Sequence, residues 1–144
     1  MLTFDCATGT ITDTDDPTLT PDEHRDALRA AIDAAASAAF LRGFPPKLEA
    51  FAGQRLQTRD LEDRTNWLTS QASYAAAVSA GFGDVADATF RTADNATVTV
   101  TYAEGLDVLL GMAAWGRAIF ERSWTLKDAL AAGEPIDITT GWPE

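Results

Sequence analysis

The stretch "FRTADNATVTVTYAEGLDVLL", residues 90–110, predicts a turn between two strands, followed directly by a helix. In its middle, Val98 and Val100 alternate with threonines, a period of two that is typical of a strand with one buried face. Asp94 and Asn95 precede this strand. Their short side chains bond back to nearby backbone and tolerate left-handed geometry, so the pair indicates a hairpin turn rather than a metal or catalytic loop.

The end of the same stretch contains a helix start. Thr101 and Glu104 have the spacing of a capping box, in which each side chain bonds a backbone N–H of the first turn. Apolar residues then recur at helical spacing, and we expect a long helix from about residue 103 with a kink or a fresh start at Ser123. Glycines inside this helix lower its propensity but permit close packing, namely Gly105, Gly111 and Gly116.

Two further helices are predicted from capping signals and apolar spacing. A capping box from Thr20 to Glu23 starts the first helix, whose apolar face is mostly alanine, so that a partner element can approach closely. The second helix begins near Asp60. Between the two, residues 47–51 and 54–58 are expected to pair as a short hairpin.

The order of these elements is arm, helix, hairpin, helix, hairpin, long helix and C-terminal segment. Helices and antiparallel strand pairs are segregated rather than alternating. The sequence therefore predicts an α+β fold in which three main helices pack with short antiparallel β-hairpins. Residues 1–19 are assigned to a β-prone N-terminal arm and an acidic linker, and residues 20–144 to a single α+β domain.

The charge and composition exclude several classes of function. The chain of 144 residues carries a net charge of −11, from 22 acidic and 11 basic side chains. A basic face for nucleic acid or for an anionic membrane is therefore not expected, because phosphate contact needs clustered lysine and arginine. No apolar run approaches the roughly 18 residues that span a bilayer, and the N-terminus has no signal-peptide pattern, so we expect synthesis in a cytoplasm.

Reactive residue types are sparse in this sequence. His24 is the single histidine and follows a helix start among acidic residues, where we expect it to be solvated. Cys6 is the single cysteine and has no base beside it in the sequence, and a lone cysteine excludes an intrachain disulfide. Neither has the activating partner that a general base or a nucleophile needs. We therefore assign no catalytic, cofactor-binding or metal-binding residue, and no cofactor.

An acidic run in the linker resembles the start of a calcium loop. Asp13, Asp15 and Asp16 have suitable spacing, but that loop also needs a glycine at its sixth position and a bidentate acid at its twelfth. Those positions hold Thr18 and His24. The run is better explained as a solvated linker.

A second acidic cluster lies at the start of the second helix. Asp60, Glu62 and Asp63 stand next to Arg59 and Arg64. Acids at this position complement the positive end of a helix. A hydrolase would instead need two of the carboxylates to face each other in a cleft. A small hydrolase built on these acids is kept as a functional hypothesis beside those given below.

Two groups of residues are candidates for protein contacts. The chain has four tryptophans, and Trp142, in the polar C-terminal segment, is the best candidate for an interface anchor. In the N-terminal arm, Leu2, Phe4 and Ile11 are candidates for docking onto another subunit by strand addition.

Several landmarks also occur together in a characteristic order. They are arginines of the first helix, an Asn-containing start of the second helix, and an aromatic-led hairpin: Arg25, Arg29, Asp63, Asn66, Leu68, Phe90, Asp94 and Asn95. In this combination the chain resembles an uncharacterised domain family of phages and prophages that is encoded near or within tail-fibre genes. The resemblance spans roughly residues 21–132.

The resemblance implies a non-enzymatic component of a bacteriophage tail tip, baseplate or fibre. Such a protein is made in the host cytoplasm and resides in the virion tail. Its partners would be other tail or fibre proteins and further copies of itself, without nucleic acid and without membrane insertion. The alternative is a tail-fibre assembly chaperone that is absent from the mature virion.

Overall fold

The computed structural model describes residues 2–5, 10–13 and 19–144. In this part of the chain, three α-helices and two antiparallel strand pairs make up the regular structure, which confirms the predicted α+β class. The elements in chain order are β1 (Leu2–Asp5), β2 (Thr10–Asp13), α1 (Pro21–Leu41), a short 3-10 helix (Glu49–Phe51), α2 (Leu61–Ser79), β3 (Ala88–Arg91), β4 (Thr97–Val100) and α3 (Tyr102–Ala131).

Each helix begins at a side chain that accepts hydrogen bonds from the first helical turn. Thr20 caps α1 and Asp60 caps α2, and each accepts from the backbone N–H three residues further on, over 3.2 and 2.9 Å. At α3 the capping box is complete: Glu104 N donates to Thr101 Oγ1 over 3.1 Å, and Thr101 N donates to Glu104 Oε2 over 2.9 Å. The predicted helix starts are confirmed, because these caps satisfy N–H groups that have no partner within a helix.

The chain divides into two compact units. The helical unit comprises Met1–Ala39 and Ala118–Pro143, and the sheet unit comprises Phe40–Arg117 together with Glu144. Both α1 and α3 contribute residues to each unit. The single domain that the sequence predicts over residues 20–144 stays a prediction.

In the sheet unit, β3 and β4 form the hairpin that the sequence predicts. Their register places Ala88 opposite Val100 and Phe90 opposite Val98. Ala88, Phe90 and Val100 are buried, while the threonines between these positions are exposed. The connecting turn contains Asn95 in a left-handed conformation, with φ at 63°. Asparagine tolerates this conformation better than most residues, which explains its position in the turn.

Phe90 lies at the centre of an aromatic cluster in the sheet unit. The rings of Phe51, Trp67 and Tyr74 lie 5.3, 5.8 and 5.8 Å from it, measured between ring centroids. Phe51 and Tyr74 meet Phe90 edge to face, while Trp67 stacks on it. Such arrangements stabilise a core beyond the burial of apolar area alone.

The first turns of α3 pack against this cluster at Gly105. A Cβ atom at this position would lie 2.7 Å from Ala88 Cβ and 3.2 Å from Tyr74 Cδ2. The first of these distances is shorter than the contact distance between two carbon atoms. Glycine is therefore required for α3 to approach β3 this closely.

The region between α1 and α2 differs from its prediction. The expected hairpin of residues 47–51 with 54–58 is wrong, since Glu49–Phe51 is a 3-10 helix. Strand-like pairing occurs instead between Phe44 and Leu56, whose backbone groups exchange hydrogen bonds of 2.8 and 2.9 Å.

The reason for this difference is the burial of Phe51. Its side chain is fully buried and contacts Phe90. The tight turn that follows it, with Ala52 at φ 49° and Gly53 at φ 78°, allows the chain to reverse directly after this residue. Burial of a phenylalanine side chain contributes about 1.5–3 kcal/mol, which is comparable to the net contribution of two or three ladder hydrogen bonds.

The core of the helical unit joins α1, α3 and the C-terminal segment. It contains four buried residues with partly buried neighbours, namely Ile32, Leu126, Ile136 and Ile138 with Ala31, Ala35, Ala129, Leu130 and Trp142. Lys127 Nζ also lies 2.6 Å from Asp33 Oδ1, which links α3 to α1. The predicted fresh start at Ser123 is wrong, since α3 runs unbroken from Tyr102 to Ala131. Ser123 is buried within α3, and the unbroken helix carries Leu126 into this core.

The C-terminal segment is held against α3 by Arg122. Its Nη2 donates to the carbonyl oxygens of Asp137 and Thr140 over 2.9 and 3.0 Å. The Asp137 carboxylate accepts from Thr140 Oγ1 and from the N and Oγ1 atoms of Thr139. These hydrogen bonds, with that from Thr140 contributing most, lower the pKa of Asp137 from 3.8 to about 2.

We predict that Gly105→Ala lowers the free energy of unfolding by about 1–3 kcal/mol, because the added methyl group overlaps Ala88. The matched control is Gly116→Ala on the same helix, where the nearest atom to a new Cβ is Phe40 Cε1 at 3.6 Å. The control should be neutral or more stable by up to ~1 kcal/mol, since alanine favours helix. Urea unfolding followed by circular dichroism measures both, and equal effects of the two substitutions would contradict the packing described.

The pKa of Asp137 predicts a pH-dependent contribution to stability. Because its pKa is lower in the folded chain than the ordinary 3.8, the ionised carboxylate stabilises the fold above about pH 4, and this stabilisation is lost as the pH falls through about 2. Asp137→Asn should therefore lower the unfolding temperature at pH 6, and the difference from the unchanged chain should shrink towards pH 2. Asp128→Asn, at an exposed site on α3, is the control. A difference for Asp137→Asn that is constant with pH would refute the assignment.

Candidate functional site

The structure describes only some of the candidate catalytic and metal-binding residues. His24 is half-buried in the first turn of α1, where its backbone N donates to Thr20 O over 2.9 Å. Cys6, Asp15 and Asp16 lie outside the described residues. The assignment of no catalytic residue stays a prediction.

The acidic cluster of α2 takes part in starting that helix. Asp60 caps it, and Asp63 pairs with Arg59: Asp63 Oδ2 accepts from Arg59 N and Nε over 2.9 and 3.0 Å, and Oδ1 accepts from Nη2 over 3.3 Å. The hydrogen bond from the Arg59 side chain lowers the pKa of Asp63, and the same bond raises the pKa of Arg59. Glu62 is exposed. These contacts support a structural role for the cluster, and a hydrolase site built on it stays a prediction.

Two kinds of feature are absent from the described part of the chain. Among residues 2–5, 10–13 and 19–144, no group of three or more histidine, cysteine, aspartate or glutamate side chains is arranged to hold a metal ion. Within the same residues, no helix combines the length and the apolar character required to cross a membrane.

The polar groups around the β3–β4 turn bond to one another and to the backbone. Asp94 and Asn95 form the tip, and Asn95 N donates to Thr92 O over 3.0 Å. Thr92 is buried; its hydroxyl accepts from Ala96 N over 3.1 Å and donates to Gln54 Oε1 over 2.6 Å. These contacts give the turn a role in shaping the chain.

A groove of about 710 Å³ lies in the sheet unit between α3 and the segment that follows α1. Its lining is mainly apolar, with four charged side chains. The lining residues are Phe44, Pro45, Pro46, Lys47, Leu48, Glu104, Asp107, Val108, Gly111, Ala114, Trp115 and Glu144. The volume falls within the range of roughly 300–1,000 Å³ that is typical of ligand-binding clefts.

Local sequence explains how the two walls of the groove form. On α3 the lining residues recur three and four positions apart, so they share one face of the helix. Opposite, Phe44 and Pro45 each precede a proline, and the residue before a proline is disfavoured in helical backbone and favours an extended one. The bridge from Phe44 to Leu56 fixes the start of this segment. At Gly111 of α3, an added Cβ would lie 3.4 Å from Phe44 Cζ, an ordinary van der Waals contact, so the two walls meet closely here.

Trp115 forms the deeper part of the α3 wall. It is 7% exposed, and its ring lies 5.7 Å from the rings of both Phe40 and Phe44. Its Nε1 has no hydrogen-bond partner among the described residues. A buried donor without a partner lowers the free energy of unfolding by roughly 1–3 kcal/mol. Burial of the Trp115 N–H group at the wall of the groove is therefore unfavourable.

Charged side chains line the groove with an excess of acids. Glu104 and Asp107 stand exposed on α3, and Glu144 adds a third carboxylate, against the single ammonium group of Lys47. Glu104 also accepts a hydrogen bond from Thr101 N in the capping box of α3, which holds its carboxylate in position. The groove combines an apolar interior with negative charge.

A second apolar surface lies on the helical unit. Phe120 and Trp124 are 44% and 56% exposed on consecutive turns of α3, and their rings stack with centroids 6.4 Å apart. Trp142, the anchor that the sequence predicts, is half-buried; its Nε1 donates to Ile138 O over 2.6 Å. A role for Trp142 at an interface stays a prediction, and Trp124 is the more exposed tryptophan.

The arm residues selected from the sequence lie on the first two strands. Leu2 and Phe4 belong to β1 and Ile11 belongs to β2, and the antiparallel register places Phe4 opposite Ile11. The described sheet has two strands, so each is an edge strand. Edge strands present backbone groups to which a further strand can pair.

Sequence reasoning missed the groove. Its walls come from segments far apart in the chain, and nothing in the sequence specifies that residues 44–48 lie opposite residues 104–115. A weak signal was present, since Gly111 and Ala114 leave a shallow strip on an otherwise bulky helix face. Such strips are also common where helices simply pack closely.

Residues 23–140 match the family described as "Domain of unknown function (DUF4376)". The match covers most of the chain, which therefore belongs to this family. Comparison with curated proteins and with solved structures found no match. The family description names no function, so the relation to tail-fibre genes stays a prediction.

Proposed function

We propose that this chain is a non-enzymatic component of a bacteriophage tail, located at the tail tip, baseplate or fibre, and that it acts through protein–protein contacts. The location is suggested by the resemblance to a phage domain family through the arginines of α1, the start of α2 and the β3–β4 hairpin. The mode of action is suggested by the exposed surfaces of the fold.

The observation that carries the proposal is the exposed pair Phe120 and Trp124. A tryptophan that is 56% exposed and stacks on a phenylalanine 44% exposed presents a large rigid apolar surface to solvent. Buried at an interface, tryptophan side chains commonly contribute most of the binding energy. Contiguous exposed apolar surface of this kind is typical of a contact site for another protein.

The two-stranded arm supplies a second contact of a different kind. Its backbone can accept a strand of a neighbouring subunit, in which case affinity comes from main-chain hydrogen bonds. Because four residues pair on each strand, the arm is a short element that gains stability from addition of a further strand. Leu2, Phe4 and Ile11 would supply the apolar contacts of this docking.

The other functional classes have less support among the described residues. The net charge of −11 opposes contact with nucleic acid or with an anionic membrane. Of the acids at the start of α2, Asp60 is engaged in capping and Asp63 pairs with Arg59. A protein that acts only by contact with other proteins requires no catalytic or metal-binding groups.

A tail-fibre assembly chaperone is the alternative within the same class. It would use the same exposed surfaces, but it would leave before the particle is complete. Mass spectrometry of purified particles separates the two, since a tail component is present in fixed stoichiometry and a chaperone is absent.

We predict that Trp124→Ala lowers incorporation into particles at least about ten-fold, because loss of a central aromatic contact typically costs ~2 kcal/mol or more. The matched control is Leu110→Ala, which removes another exposed apolar side chain of α3, 48% exposed. It should leave incorporation nearly unchanged. Quantitative mass spectrometry of particles measures both variants, and equal incorporation of the unchanged and Trp124→Ala chains would contradict the proposal.

Deletion of residues 1–16 should abolish incorporation while α1, α2 and α3 remain folded, because the proposal assigns docking to the arm. The helical circular dichroism of the shortened protein provides the control for folding. Incorporation at the normal level by a folded, shortened chain would refute the docking role of the arm.

A further inference from the structure

We infer that the groove of the sheet unit binds an extended segment of a partner protein in which aliphatic side chains lie next to a lysine or an arginine. This inference rests on the proposed function in one respect, namely that the occupant is a protein. It adds a defined site and the chemistry of the sequence that the site recognises.

The apolar part of the groove selects aliphatic side chains. Phe44, Pro46 and Trp115 are buried residues whose surfaces form part of its lining, and Leu48 and Val108 extend that lining. Transfer of apolar area from water into such a cleft is favourable by about 25 cal/mol per Å². Because the Pro45–Pro46 wall is itself extended, an extended segment can lie alongside it with side chains directed into the cleft.

The charged part of the groove selects a cation. Glu104, Asp107 and Glu144 place three carboxylates around the apolar lining, and Lys47 is the single opposing charge. Asp107 and Glu104 lie three residues apart on α3, so both carboxylates stand on the same side of the helix. A lysine or arginine next to an aliphatic residue would pair with these acids while its neighbour enters the cleft.

Charge also argues against other occupants. A second copy of the chain carries a net charge of −11 and would bring further acids to a negative surface. Phosphate groups of nucleic acid would meet the same repulsion. The chain's own acidic run at residues 13–16 has the wrong sign as well. A basic and aliphatic segment of a different protein is the occupant that satisfies both parts of the groove.

The experiment begins with selection from a displayed library of random decapeptides on the full-length protein. The same library is passed over the Ala114→Lys variant. This variant places a long cationic side chain in the groove at an exposed position of α3, where lysine is tolerated. The matched control is Ala113→Lys, which changes the neighbouring exposed residue, outside the groove lining.

The expected result is enrichment of peptides that combine lysine or arginine with leucine, isoleucine, valine or proline on the unchanged protein and on Ala113→Lys. Enrichment on Ala114→Lys should be lost. The most enriched peptide, labelled with fluorescein, should then bind Ala114→Lys at least about ten-fold more weakly by fluorescence anisotropy. Asp107→Asn should weaken binding about two- to five-fold, as expected for one exposed charge pair, and Asp128→Asn should not change it.

Three results would overturn the inference. They are no enrichment on the unchanged protein, equal enrichment on Ala114→Lys, and enrichment of peptides without basic residues. The selection uses purified protein without particles, so its failure is distinct from failure of the tail assignment, which is measured by incorporation into particles. Groove-dependent binding together with absence from particles would retain the site and reject the location.

Discussion

The close contact between α3 and β3 at Gly105 is the constraint on which the sheet unit depends. A side chain there would overlap Ala88, so only glycine lets the helix approach the hairpin and cover Phe90. The neighbouring residue, Glu104, completes the capping box with Thr101 at the start of the helix. Since the groove wall is the face of α3 that starts at Glu104, the same few residues set both the core of this unit and the geometry of its groove.

The sequence was most informative where a local pattern has a local cause. The capping residues Thr20, Asp60 and Thr101 start helices because their side chains bond the next turn, and alternation around Val98 and Val100 produces a strand. The predictions were wrong where contacts between residues far apart in the sequence determine the local structure. Phe51 is drawn into the aromatic cluster, which replaces an expected strand by a 3-10 helix, and Leu126 enters a core that keeps α3 continuous through Ser123.

The same distinction explains why the site was harder to predict than the fold. The acids at the start of α2 and the turn at Asp94 and Asn95 are recognisable in sequence, because their roles are local. The groove depends on the packing of residues 44–48 opposite α3, which no spacing rule specifies. Exposure of Trp124 likewise follows from which face of α3 meets the core of the helical unit, and partial burial of Trp142 follows from packing of the C-terminal segment against that core.

Several polar groups of the described residues start helices, shape turns or hold the C-terminal segment, whereas Phe120 and Trp124 form an exposed apolar surface. The proposed function is contact with other proteins within a phage tail. A cryo-electron microscopy map of the purified particle tests this claim most directly. We expect density for the fold in the tail, with the surface around Phe120 and Trp124 covered by a neighbouring subunit. A particle that lacks this density, or that leaves this surface facing solvent, would contradict the claim.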